Sequence, residues 1–182
     1  MNITKSILIT AMLLFSLGTY AQDRDDQRVI ADAEKAKTKI QKANYGLDHF
    51  FDNASGYAVF PNVGEGGLIV GGASGNGVLY ENGKAMGMAD LKKLDVGLQA
   101  GGQASTEIIF FETEEALNEF KSGDFELSAE ATAVALEKGV AAKANYDDGV
   151  VVFAKPKKGL MADLSVGGQK FNYTDMELIE KK

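Results

Sequence analysis

The chain of 182 residues contains no cysteine and only one histidine, His49, which limits the kinds of metal and catalytic site that it can form. Without cysteine it has neither disulfides nor a lipobox residue, so it is not a bacterial lipoprotein. Zinc sites and Cys–His or Ser–His nucleophilic sites need residues that are almost missing here. A lone histidine beside Phe50 and Phe51 is more typical of a packed or capping residue. We therefore predict no metal, no cofactor and no enzymatic activity.

Nucleotide-binding motifs are also missing. Gly72, Gly75 and Gly77 are spaced in the reverse order of the dinucleotide fingerprint, and no periodic helix follows them. Gly83 and Lys84 lack the upstream glycine of a phosphate-binding loop, and alanine follows them. The formal net charge of −7 repels nucleic acid, so no nucleic-acid partner is expected.

The N-terminus carries the features of a secretory signal. The apolar residues 7–17 follow Lys5 and precede Thr19 and Ala21, which place small residues where a signal peptidase cleaves. This run is too short to cross a bilayer. We predict a signal peptide over residues 1–21, with an uncleaved anchor as the alternative. The protein would then be periplasmic or extracellular, peripheral on an envelope membrane. Residues 22–182 would form one domain with a formal charge of −8, since Lys5 is lost.

An amphipathic helix is predicted over residues 22–45. Its apolar residues recur at steps of three and four, a period that continues into a second short turn. These residues are Val29, Ala33, Ala36, Ile40, Ala43, Leu47 and Phe50. We expect this stripe to pack against strand residues that include Val59, Ile69, Val151 and Phe153.

A row of cations flanks that stripe. At about 100° per residue, four basic side chains fall on one side of the helix. They are Arg28, Lys35, Lys39 and Lys42, and Asp32 partly offsets their charge. This arrangement is found in helices that lie on anionic surfaces, and the four residues are our candidate lipid-binding site. The alternative is a docked helix whose lysines only keep it soluble.

Residues 55–175 are predicted to be mainly β. Residues 55–102 hold 13 of the 21 glycines, among β-forming side chains. Such glycines serve either close backbone packing or exposure of backbone N–H groups to a ligand, and we favour packing. Asn82-Gly83 predicts a type I′ hairpin. The expected fold class is α+β, with the N-terminal helix packed on an antiparallel, curved sheet or partial barrel.

Two later segments interrupt the strands. A short helix is predicted near residues 113–122, with Thr113 as its N-cap and Gly123 at its end. Residues 125–143 are ambiguous: their alanine content favours helix, whereas a weak likeness to residues 94–105 favours strand. We favour strand.

The glycine-rich segments occur in an order that resembles the SYLF domain family over residues 47–175. The matching segments are 55–61, 66–72, 75–79, 95–102 with 108–111, and 158–168. The resemblance implies a non-enzymatic domain that associates with lipids, or with actin in eukaryotic endocytic adaptors. It also implies that a basic N-terminal helix meets the lipid. An exported chain would not encounter actin.

Together these features predict a non-enzymatic envelope protein that binds lipid or an anionic membrane surface. The rival hypothesis is a structural protein of the envelope that docks a protein partner through its sheet edge or glycine-rich loops. A contiguous exposed apolar patch would favour the rival.

Overall fold

A computed structural model describes residues 25–66, 71–95, 103–157 and 165–179. The predicted signal peptide and the predicted core residue Ile69 lie outside these ranges. Within them the chain is α+β, with one eight-stranded sheet that curls into a half-barrel and helices on both faces. The expected fold class is confirmed.

The first helix, α1, covers residues 25–42 of the described chain, inside the predicted range of 22–45. It ends where Asn44 and Gly46 take positive φ. The other elements are α2 (Asp48–Asn53), β1 (Gly56–Gly66), β2 (Gly71–Glu81), β3 (Lys84–Asp95), β4 (Gln103–Phe111), α3 (Glu114–Lys121), β5 (Phe125–Glu126), β6 (Val134–Ala135), a 3₁₀ turn (Ala141–Lys143), β7 (Val150–Pro156), β8 (Lys170–Asp175) and α4 (Met176–Ile179).

The strand order is β5-β8-β3-β2-β1-β4-β7-β6. Every pairing is antiparallel except the last, because β6 runs parallel to β7. The expectation of an antiparallel sheet therefore needs this correction at one edge. The exception arises because β6 is reached by a chain that crosses from the opposite edge, rather than by a hairpin.

That crossing also explains the curvature. Eight steps of chain separate Glu126 on one edge strand from Val134 on the other, a reach of at most about 29 Å. A flat sheet of eight strands would place its edges about 34 Å apart. The sheet must therefore curl toward residues 127–133. We call the face that they cover the inner face, and the face that carries α1 and α2 the outer face.

Each face carries its own hydrophobic core. Ile108 to Phe111 are all fully buried, because alternate residues of β4 point to opposite covered faces. In the inner core, Leu117 and Phe120 of α3 pack with the aromatic residues Phe111, Phe125 and Phe171 of the strands. The outer core unites Ala33, Ile40, Leu47 and Phe50 with Val59, Val151 and Phe153. The predicted helix packing is thus confirmed, although Val29 is only partly buried.

Local turn chemistry follows the sequence. Asn82 and Gly83 both have positive φ, at 50° and 77°, as a type I′ turn requires. The Thr113 hydroxyl accepts a hydrogen bond from the backbone N–H of Ala116 at 3.3 Å, and Gly123 has a φ of 89° after the helix. These features confirm the predicted hairpin, the cap and the end of α3.

Glycines permit close packing in the sheet. A Cβ on Gly77 would lie 2.6 Å from the Phe60 ring and 2.7 Å from the Val59 carbonyl oxygen. A Cβ on Gly72 would lie 2.7 Å from the Lys93 carbonyl oxygen. Real Cβ atoms do not come this close, so at these two positions the packing role is supported.

Residues 125–143 do not form the strand that we favoured. They contain two strands of two residues each, β5 and β6, and then a 3₁₀ turn, with turns and irregular chain between them. The backbone N–H of Leu127 bonds to Gln169 and that of Leu136 bonds to Ala154, so distant chain segments satisfy this backbone. Tertiary contacts, rather than local preference, decide its path.

Candidate functional site

The predicted basic flank of α1 faces solvent. Arg28 keeps 81% of its side chain exposed and lies 3.5 Å from the carboxylate of Asp25. Lys35, Lys39 and Lys42 are also exposed. The four predicted site residues therefore share one accessible side of a single helix. The exposed carboxylate of Asp25 partly neutralises the charge of Arg28.

The apolar stripe of α1 is occupied by the sheet. Ala33 and Ile40 are buried, and Val29, Ile30 and Ala36 pack partly against the outer core. Since this face is covered, the docked helix cannot insert it into a bilayer. Only its charged side is available to a ligand.

A polar contact lies beneath α1 that the helical periodicity did not reveal. The Lys37 ammonium donates a hydrogen bond to the Glu34 carboxylate at 2.7 Å and lies 4.4 Å from the centroid of the Tyr80 ring. Only 12% of the Lys37 side chain is exposed. Lys37 therefore stabilises the packing of α1 on the sheet and is not available to a ligand. In the sequence, the only sign of this burial is that Lys37 lies between Ala36 and Ile40 of the apolar stripe.

The tyrosines of the outer core are held neutral. Burial, and then the charge of Glu34, raise the pKa of Tyr57 to about 12. The same causes raise the pKa of its stacked neighbour Tyr80. Burial followed by the charge of Glu112 raises the pKa of Tyr146 to about 12. A catalytic phenol would need a pKa shifted toward neutrality, so these shifts are structural.

His49 is exposed and packs against the Phe50 ring, with centroids 3.8 Å apart. In the described part of the chain, no three His, Cys, Asp or Glu side chains come together as metal ligands. One buried carboxylate, that of Glu107, accepts hydrogen bonds from Ser105 at 3.1 Å and from Gln169 at 3.2 Å. These bonds tie β4 to the chain that leads into β8.

A cleft of about 1060 Å³ lies where β2, β3, β5 and β8 meet. We call it the β3–β8 cleft. Its charged lining consists of Lys92, Lys93, Lys170, Asp124 and Glu126. The rest is Gly72, Ala73, Ser74, Gly123, Phe125, Gly168, Phe171 and Asn172. The sequence did not predict this site, because only the long-range pairing of the strands assembles it.

Two lysines of the cleft lie side by side. Lys92 of β3 is the direct partner of Lys170 of β8 in the antiparallel register, and their neighbours Leu91 and Phe171 are paired as well. Leu91 and Phe171 point into the inner core, so the lysines point outward from the other face. Lys170 also forms an ion pair with Glu126 at 3.0 Å.

Comparison with known proteins identifies the family of this chain. Residues 92–177 match the family model Ysc84, described as "Las17-binding protein actin regulator". The chain is also 30% identical over 132 residues to the protein named beta cell expansion factor A from Aeromonas veronii. That alignment covers 71% of this chain and 49% of the relative. The chain belongs to the SYLF (Ysc84) family.

The SYLF match covers the two candidate sites unequally. It includes the cleft lysines Lys92, Lys93 and Lys170, but α1 precedes it. The chain spans about half the length of the curated relative. Membership supports a binding role and does not name the ligand. Among the described helices, none combines the length and hydropathy needed to span a membrane.

Proposed function

We propose that the protein is a non-enzymatic, exported envelope protein that binds anionic lipid surfaces through the basic flank of α1. The observation that carries this proposal is the shared solvent-facing position of Arg28, Lys35, Lys39 and Lys42 on one docked helix. The binding role of the family supports it. The predicted signal peptide supports export.

The docking of α1 determines the mode of binding. Because its apolar stripe is buried, the helix would contact head groups electrostatically and stay at the surface. Each basic side chain near an anionic surface contributes about 1 kcal/mol, and screening by salt weakens it within a Debye length. Binding should therefore be peripheral, additive in charge and reversible by salt, against the net negative charge of the whole chain.

Vesicle co-sedimentation tests this proposal. Phosphatidylcholine vesicles with phosphatidylglycerol should bind the protein, and vesicles of phosphatidylcholine alone should not. Replacement of all four basic residues by Gln should weaken binding on the order of a thousandfold, since four favourable contacts of about 1 kcal/mol each are lost. The matched control carries R28K, K35R, K39R and K42R, which keep the charge. It should bind as the wild type does.

If the Gln variant and the charge-conserving variant bind equally, the basic flank is not the lipid site. Insensitivity of binding to salt would contradict the electrostatic mechanism. The rival hypothesis is a structural protein that docks a protein partner through its sheet edge or glycine-rich loops, and a contiguous exposed apolar patch would favour it. Among the described residues, the large hydrophobic side chain that is exposed is Val140, at 47%.

A further inference from the structure

The chain contains two Asn-Gly dipeptides, Asn76-Gly77 and Asn82-Gly83, in opposite environments. The first lies inside β2, which pairs with β1 on one side and with β3 on the other. The second forms the turn between β2 and β3, where both of its residues are exposed. Asparagine is chemically labile, most of all before glycine, which has no side chain to hinder attack of its backbone nitrogen on the asparagine side chain. The two dipeptides therefore place the same chemistry inside and outside the sheet.

The turn leaves the reacting groups of Asn82 and Gly83 accessible. Their φ angles of 50° and 77° are those of a type I′ turn, in which the hydrogen bond joins the first and fourth residues, Glu81 and Lys84. The backbone N–H of Gly83 is therefore outside the ladder. A Cβ on Gly83 would meet nothing within 4 Å, so the residue has open space around it. The side chain of Asn82 can approach the Gly83 nitrogen without separation of any strands.

The dipeptide inside β2 is held by both neighbouring strands. Gly77 is buried, and a Cβ on it would lie 2.7 Å from the Val59 carbonyl oxygen. Asn76 is paired with Asn62 of β1 and with Asp90 of β3. Rotation of this peptide into the geometry of attack requires β2 to separate locally from its neighbours. The free-energy cost of that opening lowers the reaction rate in proportion.

We infer that Asn82 is a site of self-modification, at which the exposed turn converts asparagine to a mixture of aspartate and isoaspartate. The Gly83 nitrogen attacks the side-chain carbonyl carbon of Asn82, and the new C–N bond closes a succinimide ring. The side-chain amide nitrogen leaves as ammonia and takes the proton of the Gly83 nitrogen with it. Water then opens the ring: cleavage of the bond to the side-chain carbon gives aspartate, and cleavage of the bond to the main-chain carbon gives isoaspartate. The reaction consumes water, releases ammonia and needs no oxidant.

The two products differ in their effect on the turn. Asp-Gly fits a type I′ turn, and this chain uses it at Asp148 and Gly149, whose φ angles are 47° and 75°. Isoaspartate adds a carbon atom to the main chain, so the two-residue turn no longer fits the strands. It would displace Glu81, whose carboxylate pairs with Lys121 of α3 at 2.8 Å. Isoaspartate would therefore loosen the contact between the hairpin and α3, whereas aspartate would not.

Peptide mapping of the purified protein after incubation at mildly alkaline pH tests the inference. Proteolytic cleavage after Glu65, Glu81 and Glu107 puts Asn76 and Asn82 in different peptides, and mass spectrometry measures the conversion of each amide to an acid. We expect Asn82 to convert at least about tenfold faster than Asn76, because only Asn76 requires local opening of the sheet. Fragmentation of the peptide should identify isoaspartate among the products.

The matched control is the same protein unfolded in guanidinium chloride, in which the two dipeptides should convert at similar rates. If Asn82 of the folded protein does not convert, or if Asn76 converts as fast, the turn does not promote the reaction and the inference is wrong. A product that contains aspartate but no isoaspartate would contradict the succinimide route.

Thermal melts test the consequence for the fold. Freshly purified Asn82→Asp carries the new charge without the extra main-chain carbon, and it should melt as the wild type does. Incubated protein enriched in isoaspartate should melt at a lower temperature. If it melts as Asn82→Asp does, isoaspartate does not displace Glu81. If Asn82→Asp itself melts lower, the charge and not the altered main chain is responsible, and the proposed consequence is overturned.

Discussion

The two faces of the sheet are covered in different ways. On the inner face, α3 buries Ala116, Leu117 and Phe120 among the rings of Phe111 and Phe125. On the outer face, the described part of α1 buries only Ala33 and Ile40. The cover that α3 provides is therefore aromatic. On the outer face the aromatic contribution comes from α2, whose Phe50 ring lies 5.0 Å from that of Phe153, and α1 contributes little apolar bulk.

Polar contacts under α1 also distinguish the outer face from the inner face. Under α1, Lys37 and Glu34 meet the ring of Tyr80, which stacks on Tyr57 at 5.2 Å. Polar contacts of this kind contribute less net stability than the same area of apolar packing, because the groups must give up water. We infer that α1 is the less firmly held cover. This suits an element whose exposed side is proposed to meet a membrane surface.

The largest expected effect is that of Phe120→Ala on the inner face. Phe120 is fully buried, and its ring lies 4.8 Å from that of Phe111 and 5.6 Å from that of Phe171. Truncation leaves a cavity in the core, and the free energy of unfolding should fall by about 4 kcal/mol. Chemical denaturation followed by circular dichroism measures this loss.

The matched variant on the outer face is Ile40→Ala. It should cost about 2 kcal/mol, at the low end for such truncations, because the neighbouring α1 contacts are small or polar. Hydrogen exchange should then increase mainly in α1, whereas Phe120→Ala should increase exchange throughout the sheet. If Ile40→Ala destabilises the protein as much as Phe120→Ala does, the two covers are equally firm and the comparison fails.

The sequence predicts the locally determined parts of this fold well. The period of α1, the Asn82-Gly83 turn and the Thr113 cap each depend on residues within a few positions, and all three are confirmed. The parallel pairing of β6 and the path of residues 127–133 depend on contacts between the two edges of the sheet. No local pattern encodes them.

The two candidate sites also differ in whether the sequence could predict them. The basic flank of α1 could be predicted, because helical periodicity alone places Lys35, Lys39 and Lys42 on one side. The β3–β8 cleft could not be predicted, since Lys92 and Lys170 are 78 positions apart and meet only through the strand register. Lys37 was missed for a related reason, because the sheet beneath α1 determines its burial.

An effect as large as that of Ile40→Ala is expected from Gly77→Ala, which tests the packing of the sheet itself. Its new methyl group would collide with the Phe60 ring and with the Val59 carbonyl oxygen of the neighbouring strand, which is backbone and cannot turn aside. We expect a loss of about 2 kcal/mol, typical of an overpacked position. The control is Gly64→Ala, where the methyl group would find ample room 4.0 Å from the Ser74 carbonyl oxygen. Thermal melts of the two variants compare them, and equal melting temperatures would contradict the packing role.

The smallest effect concerns the outer face at alkaline pH. Burial and Glu34 raise the pKa of Tyr57 from 10.0 to about 12, so the folded protein keeps a proton that the unfolded chain loses. The resulting stability is fully present below about pH 10 and is lost as the pH rises toward 12. Tyr57→Phe keeps the ring but removes the ionisation. At about pH 11 the variant should therefore have lost roughly 1 kcal/mol less of its free energy of unfolding than the wild type has. Below about pH 9 the two proteins should show the same pH dependence. Urea denaturation across this range measures both variants. Tyr80 still titrates in the variant, so the loss with pH should be reduced and not abolished. An identical pH dependence in the two proteins would show that the phenol of Tyr57 does not resist ionisation in the folded state.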